Sequence, residues 1–278
     1  MALDRGVGFI GAGNMAGALL RGLLRARVVA PDRCIVANRS NDERLRRLQR
    51  ECGVRTTRDK AYVLGESDVV VLAVKPVDVP GVLREIAPHA TPRHLIVSVA
   101  AGVPLQTIEH QLDRVPVIRS MPNTSTAVGA SATALCPGRW AGDEHVGIAR
   151  RLFEAVGRVV VVPEALFDAV TGIAGSGPAY VYLLAEGMVE AARRAGVPQE
   201  VARTLVAQTI LGAGTMLVET GEDPAVLRAH VTSPGGTTMA ALEALTERGF
   251  REAIHAAIDR AIRRAGELRV LPGGPRRG

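Results

Sequence analysis

Gly6-Val-Gly-Phe-Ile10 runs without a break into Gly11-Ala-Gly13-Asn-Met-Ala16, and then into an apolar-periodic stretch ending near Arg27. The order reads as a short buried strand, a tight glycine turn and an amphipathic helix. Gly11 permits the turn, Gly13 lets the backbone approach a pyrophosphate, and the small Ala16 lets helix and strand pack closely. A phosphate would then face the helix N-terminus, where unpaired N–H groups and the helix dipole favour negative charge. A glycine pattern alone is a weak signal, but its place directly after a strand and before a helix marks a dinucleotide-binding unit. Ile10, Gly11, Gly13, Asn14 and Met15 are its first candidate cofactor contacts.

The same alternation continues down the chain. A second strand is expected at Cys34–Asn38, a helix at 41–52, a strand at 68–74 and a helix from Pro76 to about Ala87. Further strands are expected at Leu95–Val99, Val115–Arg119, 131–136 and 158–162, with a helix over 142–155. Strand–helix alternation implies a parallel sheet with helices on both faces, and ligands bind beyond the carboxyl ends of its strands. Small or polar residues fall at those ends: Asn38-Arg39-Ser40, Ala73-Val74-Lys75-Pro76, Ala100-Ala101-Gly102 and Met121-Pro-Asn123-Thr124. The second strand usually ends in an acid that bonds the ribose of NAD. Here Asn38-Arg39-Ser40 offers a guanidinium and a hydroxyl instead, which suit the 2′-phosphate of NADP(H). The plainer reading is an exposed Arg in an Arg-rich chain, since 32 of the 34 basic residues are Arg and only Lys60 and Lys75 are Lys.

After Val162-Pro163-Glu164 no strand pattern is found, only helical periods broken by Gly and Pro. The expected organisation is therefore an α/β dinucleotide-binding domain over 1–162, an all-α domain over 163–272 and a disordered tail over 273–278. Within the helical part, Gly172–Tyr180 interrupts a long amphipathic run, either as a kink or to bring a helix N-terminus to the cofactor edge. Farther on, Ser233-Pro-Gly235-Gly236-Thr237-Thr238 combines two glycines, three hydroxyls and the start of a helix. By itself it reads as an ordinary capped loop, with a cradle for a small carboxylate as the functional alternative. Aromatic residues are only 3% of the chain, so the core is expected to be mostly Ala, Val, Leu and Ile. The Ala and Gly faces of the helical part suggest closely packed helices, and its long apolar faces are expected to need a second copy.

Composition excludes several other classes. Hydrophobic residues make up 47% and charged residues 22%, which is ordinary for a globular protein. The net charge of +6 is not gathered into basic runs with interleaved aromatics, so nucleic-acid binding is not expected. Three widely spaced cysteines and six scattered histidines give neither a disulfide framework nor metal-ligand spacing; no metal and a reducing, cytoplasmic setting are expected. Residues 6–20 are as rich in Gly, Ala and Leu as a secretory leader, but Asn14 interrupts them and no small-residue cleavage site follows. No apolar run has transmembrane length, so no membrane association is expected.

Five segments in this order resemble the pyrroline-5-carboxylate reductase family: Gly-Ala-Gly-Asn-Met at 11–15, Ala-Val-Lys-Pro at 73–76, Met-Pro-Asn-Thr at 121–124, Gly-Ser-Gly-Pro-Ala-Tyr at 175–180 and the 233–238 turn. The resemblance spans nearly the whole chain. It implies a Rossmann-type doubly wound sheet followed by an all-α dimerisation domain, with dimers assembling further into decamers. It also implies reduction of 1-pyrroline-5-carboxylate to L-proline by NADPH, with NADH possible. By resemblance, Thr238 bonds the substrate ring nitrogen and is the catalytic residue. Ser233, Gly235, Gly236 and Thr237 surround the carboxylate, with Glu164 and His230 close by. Glu164 also has a plain reading as a first-turn helix acid. His230 stands where relatives usually have Asn, and Lys60, near the adenosine, likewise replaces Asn. Ser125 replaces a common Pro and Ser131 a common Gly. The implied cofactor set comprises residues 10, 11 and 13–15, Asn38, Arg39, Ser40, Lys60, Ala73, Val74, Lys75, Pro76, Ala100, Ala101 and Asn123.

Two other readings share this architecture. A β-hydroxyacid or 6-phosphogluconate-type dehydrogenase would use a Lys on the interdomain helix as acid–base, and residues 163–195 contain no Lys. A non-catalytic NADP-binding regulator would have no use for the complete 233–238 turn.

Overall fold

The protein is described from a computed structural model covering residues 4–269. Its first unit comprises 4–176 together with 261–269; the second comprises 177–260. The expected tail, 273–278, lies outside the described residues.

The first unit is built on an eight-stranded sheet ordered β3-β2-β1-β4-β5-β6-β7-β8. The strands are β1 (Val7–Ile10), β2 (Cys34–Ala37), β3 (Arg55–Thr57), β4 (Val69–Leu72), β5 (Leu95–Ser98), β6 (Val117–Met121), β7 (Ser131–Pro137) and β8 (Gly157–Val161). Between them run α1 (Asn14–Arg25), α2 (Asp42–Cys52), α3 (Lys60–Gly65), α4 (Val79–Ile86), α5 (Leu105–Glu109) and α6 (Asp143–Glu154). β1, β2, β4 and β5 are buried at every position because both faces are covered. Alternate residues of β4 show the division. Val69 and Val71 join a core with α1, α2 and α6 through Leu20, Leu48 and Phe153. Val70 and Leu72 join the opposite core with α3, α4 and α5 through Leu64, Leu83 and Ile108.

Three short elements escaped the sequence reading. β3 is three half-buried polar residues at the sheet edge, while α3 and α5 span six and five residues, too few to display a helical period. One expectation needs correction. The sheet is parallel from β3 through β6, but β7 runs antiparallel to β6, and β8 then pairs parallel with β7. Only a short 3-10 turn, Thr124–Val128, separates β6 from β7, whereas a parallel return needs a crossover of a dozen or more residues.

Beyond β8 come α7 (Phe167–Val170) and a π-helical turn at Thr171–Gly175, closed by Ser176 N–H on the Thr171 carbonyl. The interruption read at Gly172–Tyr180 is thus a change of helical pitch. The second unit holds α8 (Gly177–Arg194), α9 (Gln199–Thr220), α10 (Pro224–His230), α11 (Thr237–Glu247) and the first part of α12 (Phe250–Glu267). Asp223 caps α10 by accepting the Ala225 N–H ahead of Pro224 at the first helical position. Large apolar side chains remain uncovered here, including Leu183 (70% exposed), Leu211 (62%) and Leu205 (59%). The reading that no apolar run has transmembrane length meets one exception, since α9 is long and apolar enough by length and composition to cross a membrane. Thr204, Gln208, Thr209 and Thr215 break its apolar character, which is why no run stood out in the sequence.

Cys34 and Cys136 are buried and Cys52 half-buried, all three as free thiols. Burial pushes the Cys34 thiol up to about 12, so it is inert as a nucleophile. Phe153, fully buried on α6, contributes to the core beneath β7 and β8. We expect Phe153→Ala to lower unfolding free energy by about 3–5 kcal/mol in urea denaturation. A loss below about 1 kcal/mol would mean that this face of the sheet is loosely packed.

Candidate functional site

Because β1 through β6 are parallel, their carboxyl ends share one edge of the sheet, and most candidate cofactor residues meet there. The glycine turn after β1 is fixed from two sides. Gly11 N–H donates to the Ala37 carbonyl at 2.8 Å, and Gly11 adopts φ +110°, where a side chain would run into the Ala73 carbonyl. Gly13 caps α1 with no side chain and with open space around its Cα, leaving the first-turn N–H groups of α1 accessible. A cradle of this shape suits a pyrophosphate, so the residues present fit a dinucleotide. Asn14 Oδ1 accepts from Arg44 Nη2 at 2.8 Å, which brings a cation to the turn that the sequence reading missed. The Thr124–Val128 turn packs on the same helix.

At the end of β2, Asn38 Oδ1 accepts the N–H groups of Ser40 (3.1 Å) and Asn41 (2.9 Å). This local turn presents Arg39 and Ser40 to solvent. Other cations nearby are engaged: Arg58 by Asp42, and Lys60 Nζ by Glu85 Oε2 at 2.5 Å. The Arg58 guanidinium holds the Asp42 carboxyl below its usual range. Lys75 stands exposed after β4, while Ala73, Val74 and Pro76 are half-buried. After β5, Ala100 is buried and Ala101 exposed. Asn123 after β6 is occupied by the chain itself, with Oδ1 accepting the Ser125 N–H and Nδ2 donating to the Ala174 carbonyl of the π turn.

Glu164 was expected near the substrate. Its Oε1 accepts two hydrogen bonds, from the Leu105 N–H at 2.7 Å and from Arg119 Nη1 at 2.8 Å. Arg119, on β6, is buried and also lies over the Phe167 ring, 4.4 Å from its centroid. The Cys136 thiol beside them is pushed up by burial and by the Glu164 charge, with Arg119 opposing. Sequence reasoning took Arg119 only as the end of a strand. A charged residue closing an apolar run was nevertheless a signal, since a buried guanidinium requires a partner.

In the second unit, the 233–238 segment forms a sharp corner. Gly236 N–H closes a turn on the Ser233 carbonyl at 3.0 Å, and Gly235 adopts φ +70°. The positive φ of Gly235 favours glycine, and a Cβ at Gly236 would displace the Ser233 hydroxyl. Gly236 supplies no side-chain cap to α11, whose first residues are Thr237 and Thr238. Uncapped N–H groups, the Ser233 hydroxyl and two threonine hydroxyls therefore cluster within six residues, a donor set suited to a small carboxylate. His230 ends α10 with Nδ1 3.6 Å from Glu222 Oε2. A groove of about 600 Å³ between α10 and α11 is lined by Arg228, Thr232, Met239 and Glu243 among others. None of residues 233–238 lines it, but Thr232 and Met239, which flank the corner in sequence, do. Among the described residues no cluster of His, Cys, Asp and Glu could hold a metal ion.

Comparison with known proteins bears on both halves. Residues 164–268 match the family model described as pyrroline-5-carboxylate reductase dimerisation, and residues 6–102 match that of the coenzyme F420-dependent NADP oxidoreductases. Pyrroline-5-carboxylate reductase 2 of Bacillus subtilis is 42% identical over 264 residues, covering 95% of each chain. The Methanosarcina acetivorans enzyme is 43% identical over 263 residues, covering 94% of this chain and 97% of its own. Among solved structures, a pyrroline-5-carboxylate reductase from Coxiella burnetii superposes with a TM-score of 0.91 at 38% identity, covering 97% of this chain and 100% of that one. The Plasmodium falciparum pyrroline carboxylate reductase, solved with NADP bound, gives 0.85 at 25% identity, covering 96% of this chain and 99% of its own. With relatives 42–43% identical over about 95% of its length and a solved member superposing at a TM-score of 0.91, the chain belongs to the pyrroline-5-carboxylate reductase family.

Proposed function

We propose that the chain reduces 1-pyrroline-5-carboxylate to L-proline, the last step of proline biosynthesis, with NADPH as donor and NADH as the alternative. The observation that carries the reading is the 233–238 corner: uncapped amide donors for a carboxylate, immediately followed by a neutral hydroxyl for the ring nitrogen. Reduction of a cyclic imine requires a hydride at the imine carbon and a proton at nitrogen. The nicotinamide C4 supplies the hydride when bound, and solvent supplies the proton, so no covalent nucleophile or strong acid is required of the protein.

What the chain supplies is binding and orientation. Gly11, Gly13, Asn14 and Met15 receive the pyrophosphate after Ile10; Asn38, Arg39 and Ser40 read the ribose and its 2′-phosphate. Ala73 to Pro76, Ala100, Ala101 and Asn123 line the remainder of the cofactor edge. Lys60 adds to the adenosine side only when released from Glu85. The Thr237 amide with the other uncapped first-turn amides of α11 and the Ser233 hydroxyl take the substrate carboxylate, the Gly235 and Gly236 N–H groups being engaged by Met239 Sδ and the Ser233 carbonyl. Glu164 and His230 are the other polar groups we assign to the substrate. Thr238 orients the ring nitrogen, and its hydroxyl serves equally whether that nitrogen is protonated or has become an amine.

The functional division we infer is 1–162 for the cofactor and 163–272 for substrate and subunit pairing. Exposed Leu183, Leu205 and Leu211 support a homodimer, which we propose assembles into a decamer. Free thiols and scattered charge support a cytoplasmic protein with neither membrane nor nucleic acid as partner. Light scattering should then give a mass of two or ten protomers, and a monomer would contradict the pairing.

Loss of NADPH absorbance on addition of 1-pyrroline-5-carboxylate tests the activity, while NADP reduction by a hydroxyacid would favour the dehydrogenase reading. Thr238→Ala should lower kcat/KM roughly ten- to a thousandfold, the scale of one positioned transition-state contact. Unchanged kinetics would remove Thr238 from the site. Arg39→Ala should raise KM for NADPH by about tenfold, the worth of a charge-assisted bond, while KM for NADH stays within about twofold. Equal shifts for both nucleotides would assign Arg39 a role other than reading the 2′-phosphate.

A further inference from the structure

Arg119 is the only Arg, Lys, Asp or Glu among the buried residues described, at 5% exposure. A guanidinium removed from water is costly unless paired and hydrogen-bonded, so its position must be fixed by what surrounds it. Two groups do so: the Glu164 carboxylate at 2.8 Å and the Phe167 ring face at 4.4 Å. The carboxylate oxygen that accepts from Arg119 also accepts the Leu105 N–H at 2.7 Å. Leu105 opens α5, and only Val103 and Pro104 separate it from the Ala100-Ala101-Gly102 loop.

That loop is held at its other end by serines. Ser120, the residue after Arg119, donates its hydroxyl to the Ser98 carbonyl at 2.8 Å, and the Ala100 N–H donates to the Ser98 hydroxyl at 3.4 Å. Gly102 additionally faces the Leu268 carbonyl, which would lie 3.0 Å from a Cβ at that position. The loop carrying Ala100 and Ala101 is therefore strapped down at both ends. One strap passes through a single carboxylate oxygen whose charge is balanced by Arg119.

We propose that Arg119 is a positioning residue for the cofactor: by pinning Glu164 it fixes the Leu105 amide, and so holds the Ala100–Gly102 loop in the shape that receives NADPH. The inference rests on the NADPH reading given above. It gives Glu164 a task on the cofactor side distinct from any contact with substrate.

The test is NADPH affinity, measured by fluorescence titration of the full chain without imine substrate, alongside thermal melting. The double variant Arg119→Met/Glu164→Leu removes both charges, leaves no unpaired ion in the interior and deprives the Leu105 N–H of its acceptor. It should melt within about 4 °C of the parent. Its NADPH Kd should nevertheless be about tenfold weaker or more. Arg119→Lys, which keeps the charge facing Glu164 but loses the planar stack on Phe167, should bind NADPH more tightly than the double variant. A double variant that binds NADPH within about twofold of the parent overturns the proposal, because a purely structural pair would leave affinity intact once the fold is preserved. If the double variant fails to fold, Glu164→Gln decides: NADPH binding weakened by about threefold or more supports the strap, and unchanged binding removes it. A parent chain that binds NADPH but does not reduce 1-pyrroline-5-carboxylate would end the functional reading and leave this comparison valid. Binding of neither NADPH nor NADH by the parent would end both.

Discussion

The common direction of β1 to β6 is the constraint on which the cofactor half depends. Parallel pairing sends every loop after these strands to the same edge, so residues separated by more than a hundred positions become neighbours without a dedicated contact between them. The hydrogen bond from Gly11 N–H to the Ala37 carbonyl joins the first two loops, and the contact between Gly11 and the Ala73 carbonyl joins the first to the third. Once this edge is set, the chemistry requires only small residues and a few polar atoms at each loop. The sequence supplies those and little else there.

The helical half solves a different problem. Its apolar side chains exceed what a single layer of helices can cover, and only Ala202 and Val206 are fully buried on α9. At the 233–238 corner Gly235 and Gly236 let the chain turn directly into α11, whose first amides have no side-chain cap. Main-chain donors, unlike long cationic side chains, carry almost no conformational entropy to lose when a carboxylate arrives.

Much of this was legible in the sequence because it was written in backbone terms. The β1–turn–α1 unit shows in glycine spacing, the strands in runs of Val and Ile, and the 233–238 corner in glycines and hydroxyls. Long-range pairing was not legible. Nothing near Lys60 announces Glu85, and nothing near Arg119 announces Glu164, because each partner arrives from another element. The direction of β7 was missed for a related reason. Its composition is that of any buried strand, and only the shortness of the 124–128 turn distinguishes an antiparallel return from a parallel one.

The last helix, α12, begins in one unit and ends in the other. Its final residues bring Arg269 to Asp168 and the Leu268 carbonyl to Gly102. Cutting the gene after codon 176 would consequently not release a complete nucleotide-binding half. The polypeptide must be synthesised through α12 before that half acquires all its own walls, and a ribosome stalled within α11 would display all eight strands without the segment that reaches Gly102 and Asp168.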